Sequence, residues 1–345
     1  MKLRSSWRSI LSMGVLTAAL FPGCNRRTPA EVADITPSLS PNRTTAPLGS
    51  AIEVTYTWTT GPAFKKLDKD HRALVHFLDS HKVVLFTDDH LPTVPPSSWE
   101  PGKTYSYTRT VFIPIYPYVG EVRPVIGLFP VSGKGERLAL KGEDLGLREY
   151  KMPPMEFQPQ TENIFLVYKD GWHNPESVAE NPSAVRTWTK KEGLVSFKNP
   201  KKDVLIYLEA DTCSKCFPET PVLTVSIGGK TGITMPIENG EVFLKKIRVK
   251  AADLGTEDWV DLRFTMNQSF VPKDLKINND DRELGLKVYH LFVGEAAKLP
   301  GVPEDQIVDA APLAPAPPAK GGAKSPATKA PAPKAAPSPA APKKG

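Results

Sequence analysis

Short runs of alternating apolar and polar residues dominate this chain. Ile52-Glu53-Val54-Thr55-Tyr56-Thr57-Trp58 is the clearest, with β-branched and aromatic residues at period two, as a half-buried strand requires. Similar runs follow at 73–78, 83–86, 105–113 and 122–128, separated by Pro, Gly and Asp clusters. No helical period longer than about two turns intervenes. Two Pro-containing clusters, Met152-Pro153-Pro154-Met155 and Gln158-Pro159-Gln160, then interrupt any ladder. Strand patterns resume at 164–168, 194–197, 204–209, 222–227, 242–249, 260–266 and 286–293, with Gly228-Gly229 placed as a hairpin turn. Many short strands without crossover helices predict an all-β protein. Its expected plan is two consecutive antiparallel β-sandwich domains, immunoglobulin-like over 48–155 and jelly-roll-like over 160–297.

The two ends follow different rules. Lys2, Arg4 and Arg8 precede an apolar run over 10–21, and Phe21-Pro22-Gly23-Cys24 closes it. The run is shorter than the about 20 residues that span a bilayer, so 1–23 reads as a cleaved signal peptide. The Gly-Cys ending resembles the lipobox of bacterial lipoproteins. That resemblance implies that Cys24 is the lipid attachment site and first residue of the mature chain. With Asn25 next, it also implies the outer membrane. Residues 24–47 are polar and Pro-rich and read as a tether. Residues 311–345 hold ten Pro, twelve Ala, six Lys and no acid, the composition of a disordered C-terminal tail.

Charge must be divided in the same way. The chain has 345 residues and a formal charge of +6, yet three bases lie in the leader and six lysines in the tail. The remainder carries 35 bases against 38 acids and is slightly acidic. This speaks against a nucleic-acid partner, as does the lack of zinc-finger spacing or an RNA-binding motif.

Arg72-Ala73-Leu74-Val75-His76-Phe77-Leu78-Asp79, Asp88-Asp89, Trp99-Glu100-Pro101-Gly102, Pro114 and Val125-Ile126-Gly127-Leu128-Phe129 occur in that order. Gly171-Trp172, Glu176, Arg186-Thr187-Trp188, Phe270-Val271-Pro272 and Asp281-Arg282-Glu283-Leu284-Gly285 form a second ordered set. The two sets resemble paired β-sandwich modules attached to bacterial membrane glycosyltransferases of the dolichyl-phosphate-mannose-dependent type. The resemblance implies a cell-envelope protein with a carbohydrate-related role. It does not imply an enzyme, because the membrane-embedded catalytic part has no counterpart in these two sets.

A sugar site on a sandwich needs an aromatic face beside directional hydrogen-bonding groups. Trp172, Glu176 and Arg186, close to Trp188, are the candidate ligand-binding set; the competing reading puts Trp188 in the core and pairs Arg186 with Glu176 to pin a loop. Trp99 reads as a turn anchor and Trp58 as core. His71, His76, His81 and His90 with Asp79, Asp88 and Asp89 resemble metal ligands by type, but strand alternation sends neighbours to opposite faces, so no metal is expected. The Asn278 to Gly285 run lacks the spacing of a calcium-binding EF-hand loop. Cys213-Ser214-Lys215-Cys216 reads as an inert loop disulfide in an exported protein, since Pro218 and Pro221 oppose a helix that would activate a thiolate. No nucleophile elbow or phosphate loop appears, and no cofactor is expected. The chain is expected to be a non-catalytic envelope lipoprotein, held to a membrane by its lipid anchor. Its expected partner is an envelope glycan or anionic cell-wall polymer; the alternative is a docking subunit of an envelope protein complex.

Overall fold

The computed structural model describes residues 31–313 except 116–117, 134, 161–163, 179–180 and 239. The expected signal peptide, the expected lipid attachment site Cys24 and residues 314–345 lie outside these residues. The fold is all-β, with two sandwich units and only short 3-10 turns as helical elements among the described residues. The first unit ends at Gln160 and the second begins at Thr161.

In the first unit, β1 (Ile35–Pro41), β3 (Ala51–Thr60) and β6 (Thr104–Phe112) form one sheet in the order β1-β3-β6. The facing sheet runs β2 (Thr45–Pro47), β9 (Met155–Gln158), β7 (Gly120–Pro130), β4 (His71–Leu78), β5 (Val84–Thr87), with β8 (Tyr150–Lys151) also on β7. Alternation decides what is buried: Ile52, Val54, Tyr56 and Trp58 face inward, while Thr55, Thr57 and Thr59 face outward. Glu53 breaks the pattern; it is buried and accepts the Thr110 hydroxyl at 3.0 Å. Trp99 is fully buried 5.8 Å from the Trp58 ring, and its Nε1 donates to the Val94 carbonyl at 3.0 Å. It thus anchors the turn from within the core.

Residues 35–41 and 45–47 are strands, so the tether expected over 24–47 does not extend across them. Ile35 and Leu39 are buried and Thr36, Ser38 and Ser40 exposed, a period-two pattern that Pro37 and Pro41 disguise. Proline is tolerated there because β1 is an edge strand, where an N–H is not required on the open side. The Pro cluster around 153–159 also contains a strand, because its prolines flank β9 without entering it: Met155–Gln158 pairs antiparallel with β7 and parallel with β2.

The second unit has two sheets of six. One runs β10 (Leu166–Tyr168), β13 (Glu192–Lys198), β18 (Trp259–Met266), β15 (Val222–Ile227), β16 (Thr231–Pro236), β21 (Ala311–Pro312). The other runs β11 (Glu176–Val178), β12 (Asn181–Trp188), β19 (Lys287–Glu295), β14 (Val204–Asp211), β17 (Phe243–Val249), β20 (Ile307–Asp309). From β12 to β19 successive strands alternate between the sheets, except at the β15–β16 hairpin, which is the jelly-roll habit. Val225, Leu262, Phe264, Ile206, Leu208 and Val293 fill the space between them. Each such side chain contributes about 1.5–3 kcal/mol on burial.

The unit extends beyond 297, and the tail does not begin at 311. Ala311 and Pro312 pair with Gly232 and Thr231, and the Leu313 amide donates to the Lys230 carbonyl at 3.0 Å. Edge pairing uses only backbone groups, so a segment without large side chains can join a sheet, and composition gives no sign of it.

Candidate functional site

Strand β18 reads Trp259-Val260-Asp261-Leu262-Arg263-Phe264-Thr265-Met266. Its even-numbered residues lie in the core. Trp259, Asp261 and Arg263 therefore share the solvent face, one strand from Ser226 on β15. A cavity of about 730 Å³ opens over this face, walled by the Gly228-Gly229 turn, the 252–257 loop, Trp259 and Pro312. Trp259 is 49% exposed, the most exposed of the described tryptophans.

Both walls are built by local chemistry. At the hairpin, Gly228 and Gly229 adopt φ of 58° and 71°, and the Gly228 amide donates to the Asp261 carbonyl at 2.8 Å, fixing the turn to β18. In the opposite loop, Leu254 is buried as a plug. Buried Asn199 donates its side-chain amide to the carbonyls of Leu254, Gly255 and Glu257 at 3.3, 3.1 and 2.9 Å. The Lys201 ammonium donates to the carbonyls of Thr256 and Glu257. These bonds replace the regular pairing that the loop lacks.

The charges are also fixed. The Ser196 hydroxyl donates to Asp261, and the Lys169 ammonium lies 3.2 Å from the same carboxylate oxygen. The Ser196 bond, with help from Lys169, holds the Asp261 carboxyl below the ordinary carboxylate range, so it is ionised at neutral pH. Arg263 is steered by Glu192 at 3.1 Å. Lys230, Asp253 and Glu257 are exposed on the rim. An indole face, a carboxylate that accepts and cations that donate thus surround one groove.

Sequence reasoning placed the site elsewhere. The structure brings Glu176 and Arg186 together as cross-strand partners on β11 and β12, with Arg186 Nε 3.5 Å from Glu176 Oε2. The other Glu176 oxygen is 2.6 Å from Arg282 Nη2, and Arg282 forks onto Asp280. That fork drives the Asp280 carboxyl down to about 2. Glu176 is therefore one link of an ion network. Trp172 points to the other sheet: its Nε1 donates to the Leu194 carbonyl at 2.8 Å, and its ring meets Phe264 edge-on at 5.9 Å. Trp172 is half-buried and packs against the core. Trp188 lies under the Lys287 ammonium at 5.3 Å, and Lys287 also pairs with Asp211 at 2.9 Å.

Trp259 went unread because its strand was begun at Val260, although parity alone places it beside Asp261 and Arg263. The histidines take separate places in the first unit. His76 faces Asp89 and Glu149, His90 lies against Asp88, and His81 sits on an exposed loop by Asp79. Among the described residues no three His, Cys, Asp or Glu side chains converge as a metal site would.

No family model matches the chain, and no curated protein matches it. Solved structures similar to parts of it include the following three. A family GH115 4-O-methyl-alpha-glucuronidase with specificity for decorated arabinogalactans is 14% identical, with a TM-score of 0.27 over 40% of this chain. This chain spans 19% of that enzyme's length. The CBM22-1-CBM22-2 tandem domain of Paenibacillus barcinonensis Xyn10C is 12% identical, covering 72% of this chain and 79% of that one, with a TM-score of 0.23. A catalytic domain with two CBM51 domains from Clostridium perfringens ZmpB is 8% identical, covering 72% of this chain and 34% of that one, with a TM-score of 0.21. At such scores none of these likenesses identifies a ligand.

Proposed function

We propose that this chain is a non-catalytic glycan-binding protein of the bacterial cell envelope, anchored through Cys24 and binding sugar in the groove at Trp259. The observation that carries the reading is the exposed indole beside an ionised Asp261 and an oriented Arg263 in a concave wall. Sugar rings present apolar faces to an aromatic plane and hydroxyls at their edges, and this set answers both. A glycan array with the mature protein tests the reading. Trp259→Ala should weaken the best ligand about tenfold, a loss of about 1.4 kcal/mol, with an unchanged melting temperature because the ring is half exposed. Equal binding by the variant would remove the groove from consideration.

One observation favours a docking role as a second reading. Phe165, Val167 and Tyr168 are exposed at and beside β10, an edge strand of its sheet. Apolar edges of this kind accept another chain's strand. Capture of a specific envelope protein that is lost in Val167→Lys, with an empty glycan array, would select it.

A further inference from the structure

Cys213 and Cys216 are joined by a disulfide that closes around the single 3-10 turn Ser214–Cys216. So short a ring restrains few unfolded conformations and stabilises the fold little. The segment is held without it: the Thr212 hydroxyl donates to the Gly285 carbonyl at 2.6 Å, and the Phe217 ring meets Phe270 edge-on at 5.4 Å. Both cysteines are half-buried and neither belongs to the hydrophobic core. A cavity of about 360 Å³ opens beside Cys216. Cys216 lines it together with Phe217, Phe270, Val271 and Leu275, and Asp274 stands at the same cavity. Asp274 enters no ion pair among the described residues. Lys215, between the two cysteines, is exposed.

Against the inert role expected from the sequence, we propose that Cys213–Cys216 is an exchangeable disulfide that oxidises a dithiol peptide, whose apolar side chain seats in this cavity and whose basic residue meets Asp274. Exchange needs access to a sulfur and a leaving thiolate of low cost. The cavity supplies access at Cys216, and the neighbouring Lys215 cation favours the thiolate. The peptide thiolate attacks Cys216 Sγ, a mixed disulfide forms, and the Cys213–Cys216 bond breaks with its electron pair left on Cys213, which takes a proton from water. The peptide's second thiolate attacks the mixed disulfide and expels Cys216 as a thiolate, which is protonated in turn. The peptide leaves as a disulfide, and two electrons have passed to the protein.

The test uses the mature protein and two dithiol peptides, one with Phe and Lys between its cysteines and one with Gly and Glu there. Burial of the aromatic ring should make oxidation of the first about tenfold faster. Leu275→Ser, at an exposed position that leaves the fold intact, should remove most of that advantage. Asp274→Lys should turn the charge preference against the basic peptide. With Cys213→Ser and the peptide supplied in its disulfide form, the free Cys216 thiolate should attack that disulfide and release one peptide thiolate, and acid-quenched mass spectrometry should find the peptide on Cys216. Equal rates for the two peptides, or a disulfide that survives millimolar dithiothreitol in the folded protein, would overturn the proposal.

Discussion

Arg109 forks onto Asp88 across the two sheets of the first unit, with its Nη2 and Nε donating to the two carboxylate oxygens at 2.9 and 3.1 Å. Arg109 comes from β6 and Asp88 follows β5, so the pair ties strands that share no backbone ladder. The same carboxylate accepts the hydroxyl of fully buried Tyr56 at 2.9 Å. His90 extends the network, with Nε2 2.8 Å from the Tyr107 hydroxyl.

This network makes the first unit acid-sensitive in a defined direction. Burial raises the Asp88 pKa, but the His90 and Arg109 contacts outweigh it and leave the carboxyl below its ordinary value. A depressed folded pKa contributes stability that is fully present above the unfolded value of about 3.9 and is lost as pH falls through the folded value. Thermal melts should therefore weaken below about pH 4. Asp88→Ala should flatten that dependence and cost about 1–3 kcal/mol at neutral pH, because the buried Tyr56 hydroxyl loses its acceptor. An unchanged acid limb in the variant would locate the sensitivity elsewhere.

Most of this architecture was legible where burial follows parity. The runs at 52–58, 73–78, 204–209 and 222–227 each carry enough Val, Ile, Leu and aromatic residues to announce a strand, and each lies in one. Several of the illegible strands, β1, β20 and β21 among them, are edges, and β9 is a short strand set between prolines. β1 and β9 are interrupted or flanked by Pro, and β20 and β21 are two or three residues long with exposed side chains, so their pairing comes from backbone groups that composition does not encode. The groove was hidden for a related reason. Its walls are a turn and a loop whose shape depends on Asn199, more than fifty residues away in sequence. A local pattern does not reveal which distant amide will satisfy a loop's carbonyls.

Asn199 offers a direct test of that wall. Replacing it with Ala leaves the carbonyls of Leu254, Gly255 and Glu257 without their donor, which should cost about 1–3 kcal/mol if they stay buried. The loop should then open. Faster amide exchange over 252–257 and several-fold weaker sugar binding are expected, with core strands still protected. A melting curve and affinity equal to wild type would show that the loop holds itself.

Two truncations separate the paired end of the chain from the rest. A protein ending at Leu313 keeps the β21 pairing with Thr231 and Gly232 and the Lys230 bond, so its melting temperature and groove should match the full chain. One ending at Ala310 removes Pro312 from the groove wall and exposes the β16 edge. At about 0.5–1.5 kcal/mol per lost hydrogen bond, its stability should fall measurably in a thermal melt and its glycan affinity with it. Identical behaviour of the two truncations would mean that β21 contributes nothing to the site.

The last prediction concerns the anchor. The apolar run over 10–21 is too short to remain as a span, so the proposed attachment of a mature chain beginning at Cys24 rests on acyl chains. Each buried methylene contributes about 0.8 kcal/mol, and one chain alone holds a protein only marginally, whereas two or more hold it firmly. If Cys24 is the acylated residue, as the proposed function holds, Cys24→Ser removes the thiol that would carry the lipid. The variant should either appear in the soluble fraction or accumulate with residues 1–23 still attached. Membrane fractionation with intact-mass measurement distinguishes both outcomes from wild type, whose mature mass should exceed that of residues 24–345 by the mass of its lipid. A variant that stays in the membrane fraction at the wild-type mature mass would show that another segment provides the anchor.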